Sequence, residues 1–267
     1  MPARSYLFVP GDRPERFAKA LASGADAVVL DLEDAVAPSA KDAARAAIAA
    51  WLTTLPERDR VVVRINDAHS PWYDADQEML AGAGAAAVML PKAEEPEVLE
   101  ALSARCRGVA ILPLVETARG MLAAQTLAAS TGVQRLVFGT LDYALELDLG
   151  TDPIALDAGH AQLALVSRAA GIESPVAGVT TALDDEAQLL ADFARARAHG
   201  FGAKLCIHPR QVAPLHAALR PAPQELDWAR RILVAAERSA GAAVQVDGRM
   251  VDRPVIERAR RIVARAG

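Results

Sequence analysis

The sequence has little cysteine. Cys106 and Cys206 are the only two, 100 positions apart, which makes neither a disulfide framework nor a metal cluster and leads us to expect a reducing, cytoplasmic setting. It also lacks any long Lys/Arg block. With 29 basic and 34 acidic residues and a net charge of -5, the expected partners do not include nucleic acid. No apolar run is long enough to cross a bilayer, and the opening MPARSYLFVPGDRP meets proline and charge too early for a signal peptide, so no membrane is expected either. What is present is ordinary globular composition. Hydrophobic residues are 52% and charged residues 24%, which excludes disordered and collagen-like classes. At 267 residues the chain is long enough to bury the core of a single α/β barrel.

Short β-rich runs recur, each followed by a stretch rich in Ala, Leu, Glu and Arg, the alternation of βα units around a parallel sheet. The strands are expected at SYLFV (5 to 9), AVVLDL (27 to 32), VVVRI (61 to 65), AAVML (86 to 90), VAILPLV (109 to 115), RLVFG (135 to 139), PVAGV (175 to 179) and AKLCI (203 to 207). Their near-continuous apolar character indicates burial on both faces, and eight such units close most naturally into a (β/α)8 TIM barrel, with an open doubly wound sheet as the alternative. Helix caps are expected at Ser39 and Asp184. After Leu219 the composition shifts to RPAPQELDW, followed by helices near 224 to 239 and 253 to 266. The expected organisation is a barrel over 1–220 and an extra C-terminal helical arm over 221–267 that caps the barrel or reaches a neighbouring subunit.

In a barrel of this kind the C-terminal ends of the strands build the active site. The first strand runs into PGDRPER, the second into Glu33 and Asp34, just after Asp31, and the third into Arg64 and Asn66. The fourth ends at Lys92, the fifth at Glu116, the sixth at Gly139, Thr140, Leu141 and Asp142, and the eighth at His208. Glu116 and Asp142 would stand on adjacent strands, where two carboxylates are the usual protein share of an Mg²⁺ shell; a structural salt bridge is the rival reading. No His or Cys joins them at zinc-like spacing. Arg64 suits a carboxylate or a developing enolate oxygen, or else pairs with Glu33 or Asp34. Arg13, Arg16 and Lys19 follow Gly11 where phosphate can be held, though exposed helical cations are usually only solvated. Lys92 and Lys204 admit a Schiff-base reading, which the carboxylate pair disfavours. His208 is a base or, more often in such a place, a residue held by a backbone partner, and Cys206 reads as core.

The phrases LFVPGDRPERFAKA, VVLDLEDAVAPSAKDAAR, VVVRIN, VMLPKAE, LVETARG, LVFGTLDYALELD, KLCIHPRQV and DGRMVDRPVIERARRI resemble, in order, the signatures of the citrate lyase beta subunit-like family within the HpcH/HpaI aldolase superfamily. That group includes citryl-CoA, malyl-CoA and citramalyl-CoA lyases. The resemblance implies Mg²⁺ on Glu116 and Asp142, with substrate contacts from Arg64, Glu116, Phe8, Gly139, Thr140 and Leu141. It implies CoA contacts from Arg13, Arg16 and Lys19, although this chain has Glu15 where some relatives carry Lys. Asp252, in GRMVDRP, matches an acidic residue that related lyases deliver to a neighbouring subunit's site for proton transfer, and a trimer or trimer-based oligomer follows. The implied reaction is Mg²⁺-dependent cleavage of a 3-hydroxyacyl-CoA to acetyl-CoA and a 2-oxo acid (oxaloacetate, pyruvate or glyoxylate). A thioesterase, a malate-synthase-like condensation and a non-catalytic 2-oxo-acid-binding subunit are the alternatives. Asp31, Glu33 and Asp34 are expected to orient Arg64, a lysine or metal-bound water from a second shell.

Overall fold

The computed structural model describes residues 2–238 and 243–264. Eight parallel strands close into a barrel in sequence order. They are β1 Ser5–Pro10, β2 Ala27–Asp31, β3 Val61–Arg64, β4 Ala87–Leu90, β5 Ala110–Val115, β6 Val137–Phe138, β7 Val176–Ala177 and β8 Ala203–Cys206. Each falls on an expected apolar run. The barrel, not the open sheet, is formed because β1 pairs with β8 as well as with β2, Tyr6 opposite both Leu205 and Ala27.

Helices follow the strands: α1 Phe17–Leu21, α2 Lys41–Thr54, α3 Tyr73–Ala83, α4 Pro96–Arg105, α5 Ala118–Ala129, α6 Thr140–Glu146, α7 Asp157–Ala170, α8 Glu186–Ala198 and α9 Val212–Leu219. Two expected caps are corrected. Ser39 lies inside a 3-10 turn, Pro38–Ala40, and α2 starts after Ala40 with no side-chain cap. Asp185, not Asp184, caps α8 by accepting the Gln188 N–H at 2.9 Å, while Asp184 pairs with Arg210 at 2.5 Å. With two successive aspartates the sequence offers two caps, and the chain's path into the helix selects one.

Side-chain alternation divides each strand between two buried layers. One set, with Tyr6, Val29, Val62, Met89, Leu112, Val137 and Leu205 among its members, packs together as the barrel's core. The alternate positions, such as Leu7, Val28, Val63 and Ile111, are at most 1% exposed, covered by the outer layers. Truncating a fully buried Leu in such a core costs about 2–5 kcal/mol.

The chain divides into two compact units, Met1–Leu215 and His216–Gly267. In the second, α10 Pro223–Arg238 and α11 Arg253–Ala264 pack through Ala229, Ile232, Ala236, Ile256, Ala259 and Ile262. These are the two helices expected near 224 to 239 and 253 to 266, and between them β9 Val244–Val246 and β10 Arg249–Val251 form an antiparallel hairpin for which no strand was expected. Asp247 and Gly248 turn it with φ of 49° and 75°, the Asp-Gly signature of a two-residue hairpin loop. Among the described residues no helix is long and apolar enough to cross a membrane.

Candidate active site

The inward series of several strands continues one step beyond the apolar core. Two residues past Val29 comes Asp31, past Val62 comes Arg64, past Leu114 comes Glu116 and past Val137 comes Gly139. Period-two geometry thus puts three charges and one missing side chain in a single layer at the C-terminal mouth. With Phe8, Thr140, Leu141 and Asp142 they line a cavity of about 340 Å³.

Arg64 organises this layer. Its Nε and Nη2 donate to the two carboxylate oxygens of Asp31, both at 2.7 Å. Nη1 lies 2.9 Å from Glu33 Oε2 and 3.8 Å from Asp34. The guanidinium also lies over the Phe8 ring, 4.8 Å from its centroid. Its side chain is 12% exposed; burial opposes the charge, but Asp31's hydrogen bonds and charge, with Glu33's, hold the pKa above its ordinary value. One forked edge is therefore spent on Asp31 and Nη1 is paired with Glu33, so the remaining N–H on each Nη is what is left to meet a ligand. Asp31 also accepts the Glu33 and Ala35 N–H groups at 2.9 and 3.1 Å, so one carboxylate shapes the loop and aims the arginine. Asp34, 68% exposed, contributes only at long range.

Glu116 is buried, and Gly139 makes room for it: a Cβ at 139 would collide with its side chain. The Lys92 N–H donates to Glu116 Oε1 at 2.8 Å. Lys92 reaches that pose with φ of 47°, the left-handed region that non-glycine residues enter at a cost of order 1–3 kcal/mol and mostly at functional sites. Its ammonium stands 3.8 Å from Glu33 Oε1. Burial, then the charge of Glu33, pushes the Glu116 carboxyl up to about 8 against the Lys92 N–H, and Asp142 pushes the same way. Glu33 rises to about 7, chiefly through burial. Glu33 has Arg64 and Lys92 beside it, but among the described residues no cationic side chain lies within 4.0 Å of Glu116 or Asp142, so the donor set fits a divalent cation held by Glu116 and the exposed Asp142 in the first turn of α6. Among the described residues no group of three or more His, Cys, Asp or Glu gathers as a metal cage. Such a cation would complete its shell from ligand and water, as Mg²⁺ does.

Residues the sequence did not single out hold the acidic loop in place. Lys41, 5% exposed, donates to Leu32 O at 2.8 Å, Glu33 O at 3.0 Å and Asn66 Oδ1 at 2.6 Å. Asp76, fully buried, takes the Asn66 N–H and amide and the Arg45 Nε. In sequence Lys41 and Asp76 look like ordinary helix-surface charges; their spacing from Asn66 carries no local signal.

Other expected residues lie elsewhere. Arg13, Arg16 and Lys19 follow β1 and are exposed, with Arg13 3.8 Å from its neighbour Asp12 and Arg16 3.8 Å from its neighbour Glu15. His208 Nδ1 accepts the Arg210 N–H at 3.1 Å, a capping role. Asp252 belongs to the C-terminal unit, just before α11, with Oδ1 3.4 Å from the Val255 nitrogen.

A closed (β/α)8 barrel with a guanidinium and unneutralised acids at its C-terminal mouth has the layout of a small-molecule enzyme. The chain belongs to the HpcH/HpaI aldolase/citrate lyase family, whose model matches residues 4–209, and that family is enzymatic. It is 39% identical to a citrate lyase subunit beta-like protein of Mycobacterium tuberculosis, over 98% of this chain and 95% of the relative. It is 37% identical to a (3S)-malyl-CoA thioesterase of Cereibacter sphaeroides, over 99% of this chain and 95% of the relative. Among solved structures it is similar to M. tuberculosis CitE in complex with magnesium, acetoacetate and coenzyme A, with a TM-score of 0.88 and 37% identity over 99% of this chain and 98% of that one. The M. tuberculosis citrate lyase beta subunit with oxaloacetate and magnesium matches with a TM-score of 0.72 and 35% identity, covering 82% of this chain and 97% of that one.

Proposed function

We propose that this protein is an Mg²⁺-dependent carbon–carbon lyase that cleaves a 3-hydroxy-3-carboxyacyl-CoA of the citryl-, citramalyl- or malyl-CoA type to acetyl-CoA and a 2-oxo acid such as oxaloacetate. The observation that carries the reading is Arg64 locked by Asp31 beside the buried, charge-deficient Glu116 in one cavity. Glu116 and Asp142 would hold Mg²⁺, which would supply Lewis-acid polarisation to the substrate's oxygen atoms. Arg64 presents its remaining Nη N–H groups to the charge that develops on the departing thioester fragment, preset by Asp31 and Glu33 so that little reorganisation is needed. Phe8 and Leu141 supply apolar walls that limit water. Asp252, brought by a neighbouring copy in a trimer-based assembly, transfers the proton to the thioester's α-carbon. Arg13, Arg16 and Lys19 meet the phosphates of CoA.

The thioesterase reading is the second one, favoured by the likeness to a malyl-CoA thioesterase along almost the whole chain. Purified protein with Mg²⁺ is incubated with citryl-, citramalyl- and malyl-CoA, following acetyl-CoA, free CoA and 2-oxo acid, with EDTA and Asp252→Asn as controls. Metal-dependent release of acetyl-CoA with a 2-oxo acid, lost in Asp252→Asn, is the expected result. Free CoA without a 2-oxo acid establishes the thioesterase, and tight 2-oxo acid binding without turnover would refute both.

A further inference from the structure

A second cavity, of about 360 Å³, is lined by residues of β7, the loop that follows it, α8, β8 and the segment between α6 and α7. It shares only Thr140, Leu141 and Val179 with the catalytic cavity. Its most unusual lining residue is Lys204. On β8 the core takes Ala203 and Leu205, so Lys204 projects outward, into the space beneath the outer layer, and is 2% exposed. Its Nζ donates to Gly178 O at 2.7 Å. Among the described residues no carboxylate lies within 4.0 Å of it, which leaves two of the three ammonium donors unspent. Asp192, the carboxylate whose charge acts on it, already accepts from Thr180 Oγ1 at 2.6 Å and Gln188 Nε2 at 2.5 Å. A buried cation without a partner is costly, and burial lowers this one only to about 8, so it remains mostly charged at neutral pH.

We propose that this cavity is a second ligand site, which takes a small hydroxy- or aminocarboxylate, its carboxylate on the Lys204 ammonium. The hydroxyls of Thr151 and Thr181 add donors from the lining, and Asp152, whose Oδ1 accepts the Ile154 N–H at 2.9 Å, receives the ligand's hydroxyl or amine on its other oxygen. Arg195 is taken by Asp157, to which its Nε and Nη2 donate at 2.7 and 2.8 Å, so Lys204 is the one base left to face the two lining acids, and that balance favours a monoanion over a phosphate dianion. Because Thr140 and Leu141 open α6, the helix that carries Asp142, an occupant touches the wall of the catalytic cavity and is placed to tune it.

The test is calorimetry on the full chain in EDTA, which keeps Mg²⁺ chemistry out, with glycerate, serine, acetate and inorganic phosphate as probes. Glycerate or serine should bind, Arg64→Met should leave that binding unchanged, and Lys204→Met should weaken it about 10- to 100-fold, the worth of a charge-assisted hydrogen bond. Should Lys204→Met fail to fold, Ala144→Leu fills the same cavity from a half-buried position on α6 and should give the same loss. Unchanged affinity in these variants, loss in Arg64→Met instead, or no binding up to tens of millimolar would overturn the proposal. Tighter binding of phosphate than of glycerate would overturn the carboxylate assignment.

Discussion

Gly139→Ala is the sharpest test of how the site is built. The backbone at 139 has φ of -83°, so alanine is conformationally allowed and the effect isolates the added methyl. That Cβ would stand 2.5 Å from Glu116 Cβ and closer still to its carboxylate, roughly 1 Å inside normal carbon contact of about 3.5–4.0 Å. Glu116 cannot yield freely, because the Lys92 N–H holds its Oε1 at 2.8 Å. Overpacking of this kind costs typically 1–3 kcal/mol, and a displacement of about 1 Å at a reacting centre costs about 10²-fold in turnover. Urea unfolding should therefore show a loss of about 1–3 kcal/mol, while Mg²⁺ titration and turnover fall far more than that loss accounts for. A folded Gly139→Ala protein with wild-type Mg²⁺ affinity and turnover would refute the placement of Glu116 as metal ligand.

Three further outcomes are expected. Glu116→Gln removes a buried charge that its neighbours disfavour, so the metal-free variant at pH 8 or above should melt no lower than wild type while losing Mg²⁺ binding, read by thermal scans with and without the ion. Lys41→Ala strands three acceptors, Leu32 O, Glu33 O and Asn66 Oδ1, and should cost about 3–5 kcal/mol by urea denaturation. His160, 5% exposed and boxed by Phe138, His199 and Phe201, is pushed down to about 4 by burial. The unfolded chain then binds the extra proton between pH 6.5 and 4, so stability falls as pH drops through that window, by up to about 3 kcal/mol. His160→Phe should flatten that part of the pH–stability curve, and an unaltered curve would refute the assignment.

The strand runs, the barrel and the charges that end its strands were legible locally, because burial on both faces demands near-continuous apolar segments and the inward period of two carries on into Asp31, Arg64 and Glu116. The metal-binding reading of Glu116 and Asp142 came from their places at adjacent strand ends and agreed with the family resemblance, whereas the role of Asp252 rested on the resemblance alone. The tertiary structure alone decided which charges pair. Nothing in VVLDLEDAVAP says that Asp31 rather than Glu33 takes the fork of Arg64, since that depends on β2 and β3 lying in register, Asp31 beside Arg64. Nor does a lysine in a helix-like run announce that it will be buried against Asn66, 25 residues on. Local pattern specifies which face is apolar; only closure of the barrel brings distant polar groups within hydrogen-bond range, where burial makes each one's partner matter.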